Sequence, residues 1–153
     1  EAMARLQTAM PRLGLKVTAA KTTTLDARTQ PFDFLGYSFG AHRTRRNGAW
    51  YLGASPSKTS VQRLKTHVRA LLVPSNTGTW FETRDRLNRM LRGWAGYFCY
   101  GTVTPAYRAV DAHVDERARH FLRRRHKVAT RATRQFSTPR LFGDLGVTSL
   151  QGR

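Results

Sequence analysis

Apolar positions change their period along this chain, from a helical spacing to short alternating runs and back to long helical stripes. Met3, Leu6, Met10 and Leu13 recur at a helical spacing, with Gly14 just past the helix end and Pro11 disturbing the last turn. Residues 15–18 and 22–25 then read as short strands about a turn at 19–21. Residues 32–39 read as one aromatic-rich strand, in which Gly36 permits the close approach of a backbone or ligand and Phe34 or Leu35 points inward. A partner strand over 49–53 follows Asn47-Gly48, a pair that tolerates positive φ at both positions and so marks a hairpin.

From Pro56 onward the period is helical. Ser57 caps a helix with the stripe Val61, Leu64, Val68, Leu71 and Leu72, and residues 74–78 form a loop. Thr79 and Glu82 stand at capping-box spacing before a second helix, expected to reach about residue 100 and to end at Gly101. Its inward positions are Leu87, Leu91, Trp94 and Phe98. Gly93 and Gly96 within it predict the close approach of another helix, at a propensity cost of roughly 1 kcal/mol each. Thr104 as cap and Pro105 in the first turn open a third helix, with Tyr107, Val110, Val114, Ala118, Phe121 and Leu122 on one stripe. Residues 141–142 and 145–150 are apolar enough to dock back on these helices. The predicted class is α+β: a small antiparallel sheet followed by a three-helix bundle, divided into 1–57, 58–130 and a C-terminal tail over 131–153.

Charge narrows what such a fold can bind. The chain carries 27 Lys+Arg against 9 Asp+Glu, a formal net charge of +18, and segment 58–130 holds 15 of the basic residues with only 5 acidic ones. Such a field calls for a polyanion, because each neutralised phosphate releases condensed counterions. Arg outnumbers Lys 22 to 5, and the guanidinium fork suits bidentate phosphate contact and stacking on unpaired bases, which favours nucleic acid over acidic lipid. No apolar run approaches ~18 residues, so no membrane span and no membrane partner are expected. The single cysteine, Cys99, excludes an internal disulfide or a Cys-rich zinc module and reads as a small buried apolar residue. The five histidines lack ligand spacing, so no metal site is expected. Asp26, Asp33, Asp85, Asp111, Asp115 and Asp144 include no adjacent pair of the kind that clamps two catalytic metal ions.

Four blocks in a fixed order carry a resemblance. Leu13-Gly14-Leu15-Lys16-Val17-Thr18-Ala19-Ala20-Lys21-Thr22 and Phe32-Asp33-Phe34-Leu35-Gly36-Tyr37 resemble the last palm blocks of group II intron reverse transcriptases. Leu91-Arg92-Gly93-Trp94-Ala95-Gly96-Tyr97-Phe98 and Leu122-Arg123-Arg124-Arg125-His126-Lys127 look like the maturase-specific segment, domain X, of the same family. The likeness covers about residues 1–130, and 143–150 extend it. It implies the end of the palm, the thumb and domain X, with the polymerase's Tyr-x-Asp-Asp loop upstream of residue 1. This chain alone is then expected to be non-catalytic and to hold no cofactor, with Mg2+ belonging to the missing catalytic part. Its implied partners are group II intron RNA, a template–primer duplex and the N-terminal reverse-transcriptase portion. A bacterial cytoplasmic, RNA-associated location follows from the same likeness.

The expected contacts follow the same blocks. By resemblance Lys21 lies near the palm active site, while Gly36 and Tyr37 lie on the primer-grip strand. Arg43, Arg45 and Arg46 sit on the hairpin arm. Lys58, Arg63, Lys65 and Arg69 would line the thumb, and Arg92 and Tyr97 could face RNA. Arg123, Arg124, Arg125, His126 and Lys127 form the densest cationic run, suited to phosphate but also to the negative end of a helix dipole. Two rivals stand beside this reading: one part of a split but active polymerase, and a generic basic RNA-binding protein.

Overall fold

The computed structural model describes residues 2–14, 25–44, 46–129 and 134–152. The order is α1 (Ala2–Arg12), β1 (Phe32–Phe34), β2 (Tyr37–Arg43), β3 (Trp50–Pro56), α2 (Lys58–Leu71), α3 (Trp80–Tyr97), α4 (Thr104–Arg125) and α5 (Thr138–Phe142). The three strands form one antiparallel sheet in the order β1-β2-β3, so the α+β class holds. The strands expected over 15–18 and 22–25 fall, apart from Leu25, outside the described residues.

The single strand expected over 32–39 is instead a hairpin. Leu35 and Gly36 both take positive φ, 49° and 80°, which is what a two-residue turn between twisted antiparallel strands requires. A leucine in that conformation is uncommon, and the helices hold it there. Tyr97 Oη donates to the Leu35 carbonyl at 2.9 Å, while Ser60 Oγ and the Ser57 N–H, each at 2.9 Å, donate to the Gly36 carbonyl. Tyr37 Oη returns the contact by donating to the Tyr97 carbonyl at 2.7 Å. The inward placement of Phe34 or Leu35 is therefore corrected: they are 58% and 67% exposed, because the chain reverses at 35–36 and leaves both at the end of the hairpin, with Leu35 at the rim of a groove rather than in the core. Pairing in register puts Phe34, Leu52 and Trp50 on one sheet face, and Trp50 and Leu52 are 66% and 56% exposed there.

Capping chemistry sets the helix starts. Ser57 Oγ accepts from the Ser60 N–H, and Thr79 with Glu82 completes the reciprocal capping box. The backbone N–H of Thr79, donating to its carboxylate, holds Glu82 below the usual glutamate range. That contribution is present above the ordinary Glu value and is lost as pH falls through the lower folded one. Thr79→Ala should cost about 1 kcal/mol, read as a shifted urea midpoint with an unchanged m-value. A midpoint equal to the parent's would mean that the cap adds nothing.

Helix α3 stops at Tyr97, three residues before the expected end. Phe98 takes the C-cap with its N–H on the Trp94 carbonyl, and Tyr107 Oη donates to the Phe98 carbonyl at 2.9 Å. Gly101 serves the junction instead: at φ 76° a Cβ there would lie 2.1 Å from the Ala54 carbonyl oxygen, and the next N–H, of Thr102, donates to that oxygen at 2.8 Å. Helix α4 begins on Val103 with no side-chain cap, so Thr104 is the first helical residue rather than the cap.

The core joins the stripes of α2, α3 and α4 with Phe136, Leu141, Val147 and Leu150. The segment 136–150 thus packs onto the bundle and completes its core through these four side chains. Two buried polar side chains fasten it. Asn88 donates to the Gly146 carbonyl and accepts from the Thr148 N–H, both at 2.8 Å. Asp111, 3% exposed, accepts from the Leu150 N–H (3.0 Å), Ser149 Oγ (2.8 Å) and the Gln151 N–H (3.2 Å). Asp111 falls on the same face as Tyr107 and Val114. A carboxylate inside an apolar stripe is the signal that could have marked it in the sequence.

Candidate nucleic-acid interface

Helix α2 has two flanks, and the structure divides its cations between them. Arg63 and His67 face α3 across an open groove of about 610 Å³, whose lining includes Met90, Gly93, Trp94 and Tyr97, with Leu35 and Gly36 closing one end. Gly93 and Gly96 do not admit another helix: both are exposed and a Cβ on either would meet nothing within 4 Å. That expectation is corrected, since among the described residues no element packs on this side of α3 closely enough to touch them. Gly93 instead flattens the groove wall beside Tyr97. Gly36 approaches the bundle, where a Cβ would lie 2.8 Å from Ser60 Oγ and 3.0 Å from Phe98 Cζ. Tyr37 is half-buried against Phe98, with ring centroids 5.0 Å apart, and burial raises its phenol pKa above the usual tyrosine value.

Lys65 and Arg69 lie on the other flank, toward α4, while Lys58 at the start of α2 borders both flanks. Lys58 lines a small cavity with Pro105, Ala106 and Ala109, and His113 Nε2 stands 3.2 Å from the Lys65 carbonyl. These contacts make α2 and α4 run parallel. Arg92 is exposed on α3 but outside the groove lining. Sequence reasoning missed His67, Met90, His113 and Arg117, because only the packing of α2 between α3 and α4 shows which positions meet.

The remaining predicted contacts scatter. Arg43 stacks over the exposed Trp50 ring, 4.9 Å from its centroid, and Arg46 is exposed in the turn beside it. Lys21 and Arg45 lie outside the described residues. At the end of α4, Arg123 Nε donates to the Val128 carbonyl (3.3 Å) and Arg125 donates to the Gly78 carbonyl (2.5 Å) while covering Phe121. Two of the three arginines thus have structural partners, whereas Arg124, His126 and Lys127 are exposed. Cys99 is exposed rather than buried, since α3 has already ended before it. Among the described residues no three His, Cys, Asp or Glu side chains group to hold a metal ion, and no helix is long and apolar enough to cross a membrane.

A cation-rich helical bundle carrying a small antiparallel sheet at one end defines the class: a basic α+β protein with open grooves between its helices. Residues 61–137, half of the chain, match the group II intron maturase-specific domain, and the chain belongs to that family. The match begins in α2, spans α3 and α4 and ends at the start of the core segment that follows them. Among curated proteins none matches the chain.

Proposed function

We propose that this chain is the RNA-gripping thumb and maturase part of a group II intron reverse transcriptase, and that the α2–α3 groove holds an unpaired stretch of the intron RNA. The observation that carries this reading is the groove itself. A glycine with empty space beside it, an exposed tyrosine and Met90 make a flat apolar wall, and Arg63 with His67 stands across from them. Base stacking on an aromatic wall with a cation reaching the phosphate is the common chemistry of single-strand RNA recognition. The bundle would thereby favour the splicing-competent fold of the RNA, and the reading assigns no reaction to this chain. In the parent protein the same bundle would follow the template–primer duplex, with Arg43 and Trp50 as a further contact.

Substitution at Gly93 tests the groove with two readouts of opposite sign. Gly93→Ala should stabilise the chain by about 0.5–1 kcal/mol, since a mid-helix glycine is replaced without a clash, yet weaken binding to structured intron RNA. Gly96→Ala should bring a similar gain in stability with binding unchanged. Equal RNA affinity for the parent and both variants would remove the groove from the reading, and affinity indifferent to salt would remove RNA altogether.

The exposed sheet face favours a second element of the same reading. Phe34, Leu52 and Trp50 are exposed apolar side chains on one sheet face, and the N-terminal reverse-transcriptase portion, bearing the carboxylates and their Mg2+, is the partner suited to cover them.

A further inference from the structure

We propose that the seam between α2 and α4 is a second nucleic-acid contact, in which Lys65 and Arg69 of α2 and His113 and Arg117 of α4 together take the backbone phosphates of a strand crossing both helices. The proposal rests on the RNA-binding reading above, but uses the opposite flank of α2.

Parallel packing creates the site. Lys58 meets Ala106 in one cavity, and Lys65 meets His113 48 positions on. The same offset sets Arg69 opposite Arg117 one turn farther along. These cations have little to neutralise them. Helix α2 contains no acidic residue, Asp111 is occupied by the C-terminal segment, and Asp115 is paired with Arg119 at 2.6 Å. Glu116 is the one carboxylate acting on His113, against Lys65 and Arg117. Arg117 has no ion-pair partner among the described residues, and its Nε is buried without an acceptor.

His113 gives the seam its chemistry. Only a ring N–H can bond to the Lys65 carbonyl, so Nε2 carries the proton of the neutral ring and Nδ1 is left without a partner among the described residues. Protonation would turn Nδ1 into a second donor, directed at whatever anion sits in the seam. In the free chain burial first, then the neighbouring cations Lys65 and Arg117, hold His113 below the ordinary value of 6.5. The neutral ring's contribution to folding is accordingly complete above that value and is lost as pH falls through the lower folded one. A phosphate between Lys65 and Arg117 reverses the local field and favours the charged ring, so strand binding would draw in a proton.

The test follows the His113 imidazole by NMR in the full chain, its resonance identified by its loss in His113→Gln. Alone, His113 should titrate below the ordinary histidine value; with a saturating RNA hairpin it should titrate above it. Arg117→Gln should reduce the slope of log K against log salt by about 1, the loss of one phosphate contact. Arg89→Gln, removing the same charge from the exposed side of α3, should leave the slope in place. Salt-dependent RNA binding in which His113 does not move, or in which the two arginine variants lose equally, overturns the seam and leaves the groove standing. No RNA binding at any salt overturns both. The histidine readout needs no folded arginine variant.

Discussion

Asp111→Ala is expected to destabilise the chain by roughly 3–4 kcal/mol, more than any other polar replacement in it. The carboxylate is buried and collects the backbone N–H groups of Leu150 and Gln151 together with Ser149 Oγ. Hydrogen bonds to a charged acceptor contribute roughly 1.5–3 kcal/mol, and a buried donor left unmatched costs about 1–3 kcal/mol. The Leu150 amide is buried and cannot turn to water, whereas the Ser149 and Gln151 groups are partly exposed, so the loss is less than three full penalties. What Asp111 holds matters as much as what it bonds. Leu141, Val147 and Leu150 fill the interior beside Phe121 and Leu122, and freeing their segment opens that interior. For a chain of this size the midpoint of thermal unfolding should fall by about 10 °C. Asp111→Asn, which retains one acceptor oxygen, should fall by less. A change below 1 kcal/mol for the alanine variant would show that Leu141 and Leu150 hold the segment without the carboxylate.

Gly101→Ala should be similarly damaging for a different reason. A methyl group at residue 101 would sit 2.1 Å from the Ala54 carbonyl oxygen and 2.9 Å from its carbon. Both are backbone atoms in a paired strand and cannot swing aside. The left-handed conformation at φ 76° adds about 1–2 kcal/mol for any residue with a Cβ. Relief requires moving the α3–α4 connection away from β3, which breaks the Thr102 N–H bond to Ala54 and the contact between Tyr51 Oη and Thr102 Oγ1. We expect a loss of about 3 kcal/mol or more together with faster hydrogen exchange at the Thr102 amide. An alanine variant with parental stability and a protected Thr102 amide would refute this account of the junction. Gly93→Ala, expected to stabilise, provides the contrast, because the two glycines differ in what lies beside them.

The helices were legible because their signals are local. Ser57, Thr79 with Glu82, and the stripe from Tyr107 to Leu122 each act within a few residues, and each appears where the pattern puts it. The sheet was half legible. Asn47-Gly48 marked the β2–β3 turn, but Leu35-Gly36 gave no comparable signal, since leucine rarely adopts positive φ and only the bundle's hydroxyls and amides hold it there. The glycines of α3 were misread for a related reason: a glycine in a helix can admit a neighbour or leave a space, and the sequence around it is the same in both cases. The cationic surface was visible as a total, not as a place. Which cations meet depends on α2 lying parallel to α4 and beside α3, and that is a property of the packed bundle.

Parallel neighbours have a consequence for how the molecule assembles. Helices α2 and α3, joined by a short loop, can pair as a hairpin, but α2 and α4 meet only across 48 positions of sequence. Loop-closure entropy over that separation is offset only by the contacts that the closure brings together, and it rises slowly with the length of the intervening chain. The seam between Lys65 and His113 is thus a non-local contact, and its stability depends on α3 and both of its connections holding α2 and α4 side by side.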